Sequence, residues 1–174
     1  MSFGIDKPQA VNGYFVGTDI GGARALRTNL LSIQGTPITG AGIGLNGAMD
    51  RIGGPTPQGR NVISGLDGTG VVITVNPGVP ASSNERVIGN YIGTDLTGTK
   101  AVPNEGGGVY IDLGIDSTIG GVAPGERNII SGNAADGVTV NNAANVVLGN
   151  YIGTDVTGLR PLGNGGSGSI SPAG

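Results

Sequence analysis

Short runs of β-branched and aliphatic residues, four to six long, recur along this chain, each bounded by Gly, Asn, Asp or Pro. GVYI at 108–111 and GVTV at 137–140 show the finer pattern. Val109 and Ile111, like Val138 and Val140, alternate with Tyr110 and Thr139. Successive side chains of a strand point to opposite faces, so the aliphatic set is expected to face a core and Tyr110 and Thr139 to point outward. No window carries apolar residues at i, i+3, i+4 and i+7 over three turns, and helix is expected at most as a short cap.

The runs repeat. GNYIGTD at 89–95 returns at 149–155, 60 residues on, with a weaker copy, GYFVGTD, at 13–19. RIGG at 51–54 and RNVISG at 60–65 return 67 residues later as TIGG at 118–121 and RNIISG at 127–132, and the seven extra residues fall in one long loop, 74–84. Inside the larger unit, 108–111 matches 137–140 at an offset of 29, and Ile119-Gly120 matches Leu148-Gly149 at the same offset. Each large unit is therefore two coils of three short strands. A single coil cannot bury its own apolar face, so coils must stack, which predicts an all-β solenoid of about four full coils with three parallel sheets around a narrow aliphatic core.

Asn61, Asn90, Asn128 and Asn150 each open the third strand of a coil. Coils stack about 4.8 Å apart, within reach of amide-to-amide hydrogen bonds, and these four residues are predicted to form a structural ladder. Residues 50–166 carry the regular coils. Residues 1–49 read as an N-terminal cap or donor segment and an irregular first coil, because the strand motif dissolves into Gly and Ala between Asp19 and Arg51. At 168–171, GSIS stands in place of GVYI, and residues 167–174 read as an open C-terminal edge with unpaired strand groups.

Composition narrows the function classes. With 37 Gly, turns must dominate, because Gly in a helix costs about 1 kcal/mol relative to Ala but serves well at positive φ. Seven Arg and two Lys are scattered in a chain of net charge −3, which leaves no basic stripe to track phosphates and argues against a nucleic-acid partner. Cys and His are both absent, which removes disulfides, thiolate chemistry and the commonest general base. The N-terminus has neither the pattern of an export signal nor a run of about 20 apolar residues, so no membrane insertion is expected.

With these motifs the chain resembles the bacterial right-handed parallel β-helix repeat proteins, whose repeats read like NVISGN, GNYIGTD-x-TG and TIGG. The resemblance spans roughly residues 50–165 and reaches 12–19 in weaker form. It implies a right-handed parallel β-helix and no particular activity, since related architectures include polysaccharide lyases, epimerases, phage tailspikes, adhesins and large surface proteins.

The lyases and hydrolases among them group carboxylates on one sheet. Here Asp112 is matched by Asn141 one coil later and Thr74 one coil earlier, so no acidic cluster forms, and no catalytic, cofactor or metal residue is assigned. Asp19, Asp95 and Asp155 of the three GTD motifs lie two coils apart, about 9.6 Å, too far for one calcium ion to bridge with bonds of about 2.3–2.6 Å. Each is expected to hydrogen-bond its own loop.

The leading expectation is a non-enzymatic structural solenoid that self-associates end to end, with Phe3, Ile5, Tyr14, Phe15 and Ile170 as contact residues. It would be a filament subunit or part of a larger extracellular or cell-surface protein. The alternative is a β-helix that binds or cleaves polysaccharide in a shallow groove lined by loop 74–84, Tyr110, Asp112 and Thr139.

Overall fold

The computed structural model describes residues 9–19, 21–26, 31–33, 40–45, 47–74 and 84–165. They form a parallel β-helix. Its first coil holds β1 (Ala10–Val11), β2 (Phe15–Val16) and β3 (Leu31–Ile33), and its second holds β4 (Ala41–Leu45), β5 (Arg51–Gly53) and β6 (Val62–Ile63). The third comprises β7 (Thr69–Ile73), β8 (Arg86–Ile88) and β9 (Tyr91–Ile92), and the fourth β10 (Val109–Ile111), β11 (Thr118–Gly120) and β12 (Ile129–Ile130). The fifth is β13 (Val138–Val140), β14 (Val146–Leu148) and β15 (Tyr151–Ile152).

Corresponding strands stack into three parallel sheets of five strands: β3-β4-β7-β10-β13, β1-β5-β8-β11-β14 and β2-β6-β9-β12-β15. Register is held residue for residue, with Val71, Val109 and Val138 in one row and Ile63, Ile92, Ile130 and Ile152 in another. The inward rows form the core, among them Leu45, Ile73 and Ile111 from the first sheet and Ile52, Val87 and Ile119 from the second. Each fully buried side chain of this kind contributes about 1.5–3 kcal/mol, and the β-branched shape suits a row whose neighbours recur at strand spacing.

The first coil departs from the rest. β3 pairs directly with β4, so two strands consecutive in the chain lie side by side in one sheet. β4 itself lies in the Gly-rich stretch between Asp19 and Arg51, where the sequence shows no strand motif. Ile43 and Leu45 fall in register with Val71 and Ile73, and the intervening glycines hide the usual β-branched signal. Tyr14 and Phe15, read as part of a cap or donor segment, stand in the first coil, where Phe15 pairs with Val62. Phe3, Ile5 and Ile170 lie outside the described residues, as does most of loop 74–84.

Two kinds of coil alternate. Coils 2 and 4 carry a 3₁₀ turn, Pro57–Gly59 or Pro124–Glu126, between their second and third strands, whereas coils 3 and 5 join the same strands through residues 89–90 or 149–150. Coils 1, 3 and 5 instead bulge after their strand of the third sheet (β2, β9 and β15), in loops closed by the antiparallel bridges Thr18↔Ala25, Thr94↔Ala101 and Thr154↔Pro161. Like outgrowths meet across the intervening coil: Leu96 N donates to Gly22 O at 3.2 Å, and Val156 N to Gly98 O at 2.9 Å. An outgrowth that fills about 9.6 Å, two strand spacings, cannot recur on every coil, and this is why the strong sequence repeat spans two coils.

Candidate functional site

The corners of the triangular coil hold its most organised chemistry. At the corner before the third sheet, the Asn61 amide donates to Asn90 Oδ1 at 2.9 Å, Asn90 to Asn128 Oδ1 at 3.1 Å and Asn128 to Asn150 Oδ1 at 2.9 Å. The other amide hydrogens reach main-chain oxygens: Asn90 Nδ2 donates to Ile52 O at 3.0 Å, Asn128 Nδ2 to Val87 O at 2.7 Å and Asn150 Nδ2 to Ile119 O at 2.8 Å. Asn61, Asn90 and Asn128 are fully buried. Their bonding capacity is spent inside the solenoid, as buried amides require.

Sequence reasoning missed a second amide ladder at the corner before the first sheet, where Asn104 Nδ2 donates to Asn133 Oδ1 at 3.0 Å and Asn133 Nδ2 to Asn164 Oδ1 at 2.8 Å. It also missed a mixed column at the remaining corner. Gln9 N donates to Asp50 Oδ1 at 2.8 Å, Asp50 N to Glu85 Oε2 at 2.8 Å and Ser117 N to Asn145 Oδ1 at 3.0 Å. The signal available was the recurrence of Asn104, Asn133 and Asn164 at near-coil intervals, but differing flanking segments obscure it. In all three columns the side-chain oxygen of one coil accepts from the coil before it. The ladders are therefore directional.

The GTD carboxylates close their own loops. Asp95 accepts from the Thr97 hydroxyl at 2.8 Å and from the Thr99 and Lys100 N–H groups at 3.0 and 3.1 Å. Burial pulls its pKa upward, but these bonds and the Lys100 charge outweigh burial and hold it below the ordinary Asp value. Asp155 is lowered as well, first by the Thr157 hydroxyl. Asp19 accepts from Ala23 N at 3.1 Å and Arg24 N at 3.3 Å.

On the outer face of the first sheet, the groove candidates divide. Asn141 Nδ2 donates to Tyr110 Oη at 2.9 Å, and Tyr110 Oη lies 3.5 Å from Asp112 Oδ1, so these three residues form one small polar group. Thr139 is next to Tyr110 in register, but its hydroxyl turns to Asp136 Oδ2 at 3.5 Å. The outer face of the third sheet is apolar instead: Val62, Tyr91 and Ile129 are buried there with Tyr151 and Val156 against them, and Arg60 and Arg127 stack on the rings of Tyr91 and Tyr151 at 4.2 and 4.1 Å.

Coil 5 ends this order. Ile111, Ile119 and Ile130 of coil 4 are 0% exposed, whereas the residues in register above them, Val140, Val147 and Ile152, are 39%, 41% and 45% exposed. Beside these apolar groups stand the backbone N–H groups of Asn145, Asn150 and Asn164. In the coil below, Ser117, Asn128 and Asn133 send the same N–H groups to a corner oxygen of the next coil. Among the described residues, coil 5 thus presents an apolar cross-section rimmed by donors at three corners.

Comparison with known proteins adds no relative: no protein-family model matches this chain, and neither a curated protein nor a solved structure matches it.

Proposed function

We propose that this chain is a non-enzymatic structural β-solenoid, a stretch of an end-to-end stack of coils such as a filament or a surface fibre, and that coil 5 is its assembly edge. The observation that carries this is the exposure of Val140, Val147 and Ile152 at positions that are sealed one coil earlier. An exposed strand edge with an apolar cross-section is a template for further pairing, and the corner donors give it a direction. The polar chemistry of the coils supports a scaffold: the corner amides bond one another, and the GTD carboxylates bond their own loops.

Hydrogen exchange on the dilute chain tests whether the edge is open. Amides of β13–β15 should exchange about tenfold faster than those of β10–β12, because an uncovered end coil frays at lower free energy than the interior. Equal protection in both coils of a dilute monomer would mean the end is already covered and would remove the proposal.

A further inference from the structure

We infer that the coil-5 edge is selective: the partner it fits is a solenoid coil of the 3₁₀-turn kind, with Pro-x-Gly-Arg or Pro-Gly-x-Arg before its third strand and Ser-Gly-Asn after it. This rests on the reading of coil 5 as an assembly edge and specifies what the edge takes.

Three features of coil 5 are shaped for such a coil. Gly17, Gly93 and Gly153 follow the third strand of the three bulge-bearing coils, at φ 81°, 88° and 77°. A Cβ on Gly93 would strike Ser131 O and the Asn133 side chain of the turn coil above, and one on Gly17 would strike Ser64 O and the Leu66 side chain. At Gly153 the nearest atom of the described residues to such a Cβ is Gly163 Cα at 4.0 Å, so among them the notch that holds Ser-Gly-Asn or Ser-Gly-Leu elsewhere stands open.

The second feature lies at the opposite end of the third strand. Gly89 N donates to Glu126 O at 3.1 Å, and Gly89 is wedged between Gly54 of the turn coil below and Gly125 of the turn coil above. Among the described residues its counterpart Gly149 meets Gly121 alone, from below. The third feature is the set of corner donors. Turn coil 4 answers the coil below it with side-chain oxygens, Asn90 N donating to Asn128 Oδ1 at 2.9 Å and Asn104 Nδ2 to Asn133 Oδ1 at 3.0 Å. Bulge-bearing coil 3 answers coil 2 in the same way through Asn90 Oδ1, so these donors call for a further coil and the two glycine notches set its kind.

A bulge-bearing coil does not fit the same edge. Coil 1, the described leading coil of a second copy, is of that kind. Set on coil 5, it would hold its Thr18–Ala25 loop about 4.8 Å, one strand spacing, above the Thr154–Pro161 loop. Loops of this type already touch across two spacings, through Leu96 N to Gly22 O and Val156 N to Gly98 O. Tyr14, moreover, occupies the corner where an amide oxygen is required: its N–H donates to Asn61 Oδ1, and its side chain carries no amide.

The test uses the full chain with one coil inserted between Asn164 and Gly165. One form repeats residues 105–133, a turn coil, and the other repeats residues 134–164, a bulge-bearing coil. The turn insertion should raise the thermal midpoint and slow exchange of the β13–β15 amides about tenfold, toward interior protection. The other insertion should do neither. Gly153→Ala should lower the midpoint far more in the turn-extended chain than in the unextended one, where its Cβ meets no neighbour closer than 4.0 Å.

Equal protection by the two insertions would overturn the selectivity, as would in-register head-to-tail polymers of the unextended chain in negative-stain electron microscopy. If neither insertion protects β13–β15, the assembly edge itself is refuted, and the selectivity falls with it.

Discussion

Replacing Asn90 tests the corner ladder at its most enclosed rung. Asn90→Ala deletes an Oδ1 that accepts from Asn61 N at 3.3 Å and Asn61 Nδ2 at 2.9 Å, and an Nδ2 that donates to Ile52 O at 3.0 Å and Asn128 Oδ1 at 3.1 Å. Asn61 keeps its bond from Nδ2 to Val11 O, Asn128 Oδ1 keeps the one from Asn90 N, and Ile52 stays in the β5–β8 ladder, so the group stripped outright is the Asn61 backbone N–H. A buried group left without a partner costs about 1–3 kcal/mol and each further lost bond about 0.5–1.5 kcal/mol, which places the substitution at about 2–5 kcal/mol.

Asn90→Asp should be worse. It keeps the acceptor but turns Nδ2 into a charged oxygen aimed at Ile52 O, Ile88 O and Asn128 Oδ1. Asn150→Ala removes the equivalent bonds at a rung reached by solvent, and water should reduce its cost to about 1 kcal/mol. Thermal and urea unfolding of the three variants, with hydrogen exchange on coils 2–4 to check that the solenoid unfolds as one unit, should rank them Asn90→Asp, Asn90→Ala, Asn150→Ala from most to least damaging. At about 2–4 °C per kcal/mol for a chain of this size, the first two should be separated from Asn150→Ala by several degrees. Asn90→Ala no more damaging than Asn150→Ala, or Asn90→Asp matching the wild type, would refute the ladder as a source of stability.

Other outcomes follow from equally local features. The residue before the second-strand corner is left-handed in four successive coils, Met49, Asn84, Asp116 and Ala144, at φ 61°, 60°, 56° and 65°. Asn and Asp tolerate this region, but Ala does not, so Ala144→Gly should stabilise by about 0.5–1 kcal/mol in urea titrations. Because Asp95 and Asp155 titrate below 3.8, their ordinary value, the stability they add is present above that pH and is lost as pH falls through their lowered values. Asp95→Asn should flatten the acid limb of a stability–pH profile below about pH 4. Arg60→Lys should cost about 1 kcal/mol, because Lys cannot lay a planar fork on Tyr91 while donating to Gly89 O, as Arg60 Nε does at 3.2 Å, and a thermal shift smaller than that of Arg86→Lys at the surface would count against this.

What could be read from the sequence was whatever repeats by residue type. Val109/Ile111 over Val138/Val140 exposed the strands, and the Asn61, Asn90, Asn128 and Asn150 series exposed one corner, since an amide both gives and takes a hydrogen bond to its own kind at strand spacing. The column of Asp50, Glu85 and Asn145 escaped because its position asks only for a side-chain oxygen, and three residue types provide one. β4 escaped because AGIGL places its signal on Ile43 and Leu45 alone, and a pairing such as β3 on β4 follows from no local pattern. The two-coil period was visible as identity, but its cause, outgrowths that touch across an intervening coil, is a matter of thickness, which a one-dimensional string does not carry. The sequence leads to an open edge at 167–174, where GSIS stands in place of GVYI and which lies outside the described residues, whereas within coil 5 Ile152 repeats Ile130 by type and differs in being 45% rather than 0% exposed.

The alternation of coils also bears on how such a gene changes length. Losing one coil, for instance residues 105–133, would set coil 5 directly on coil 3 and force the Thr154–Pro161 bulge into the space of Thr94–Ala101. Losing or gaining an adjacent pair restores every contact. Duplications and deletions that survive selection should therefore come in pairs of coils, and the 60-residue identity between GNYIGTD at 89–95 and at 149–155 has the form such a history would leave.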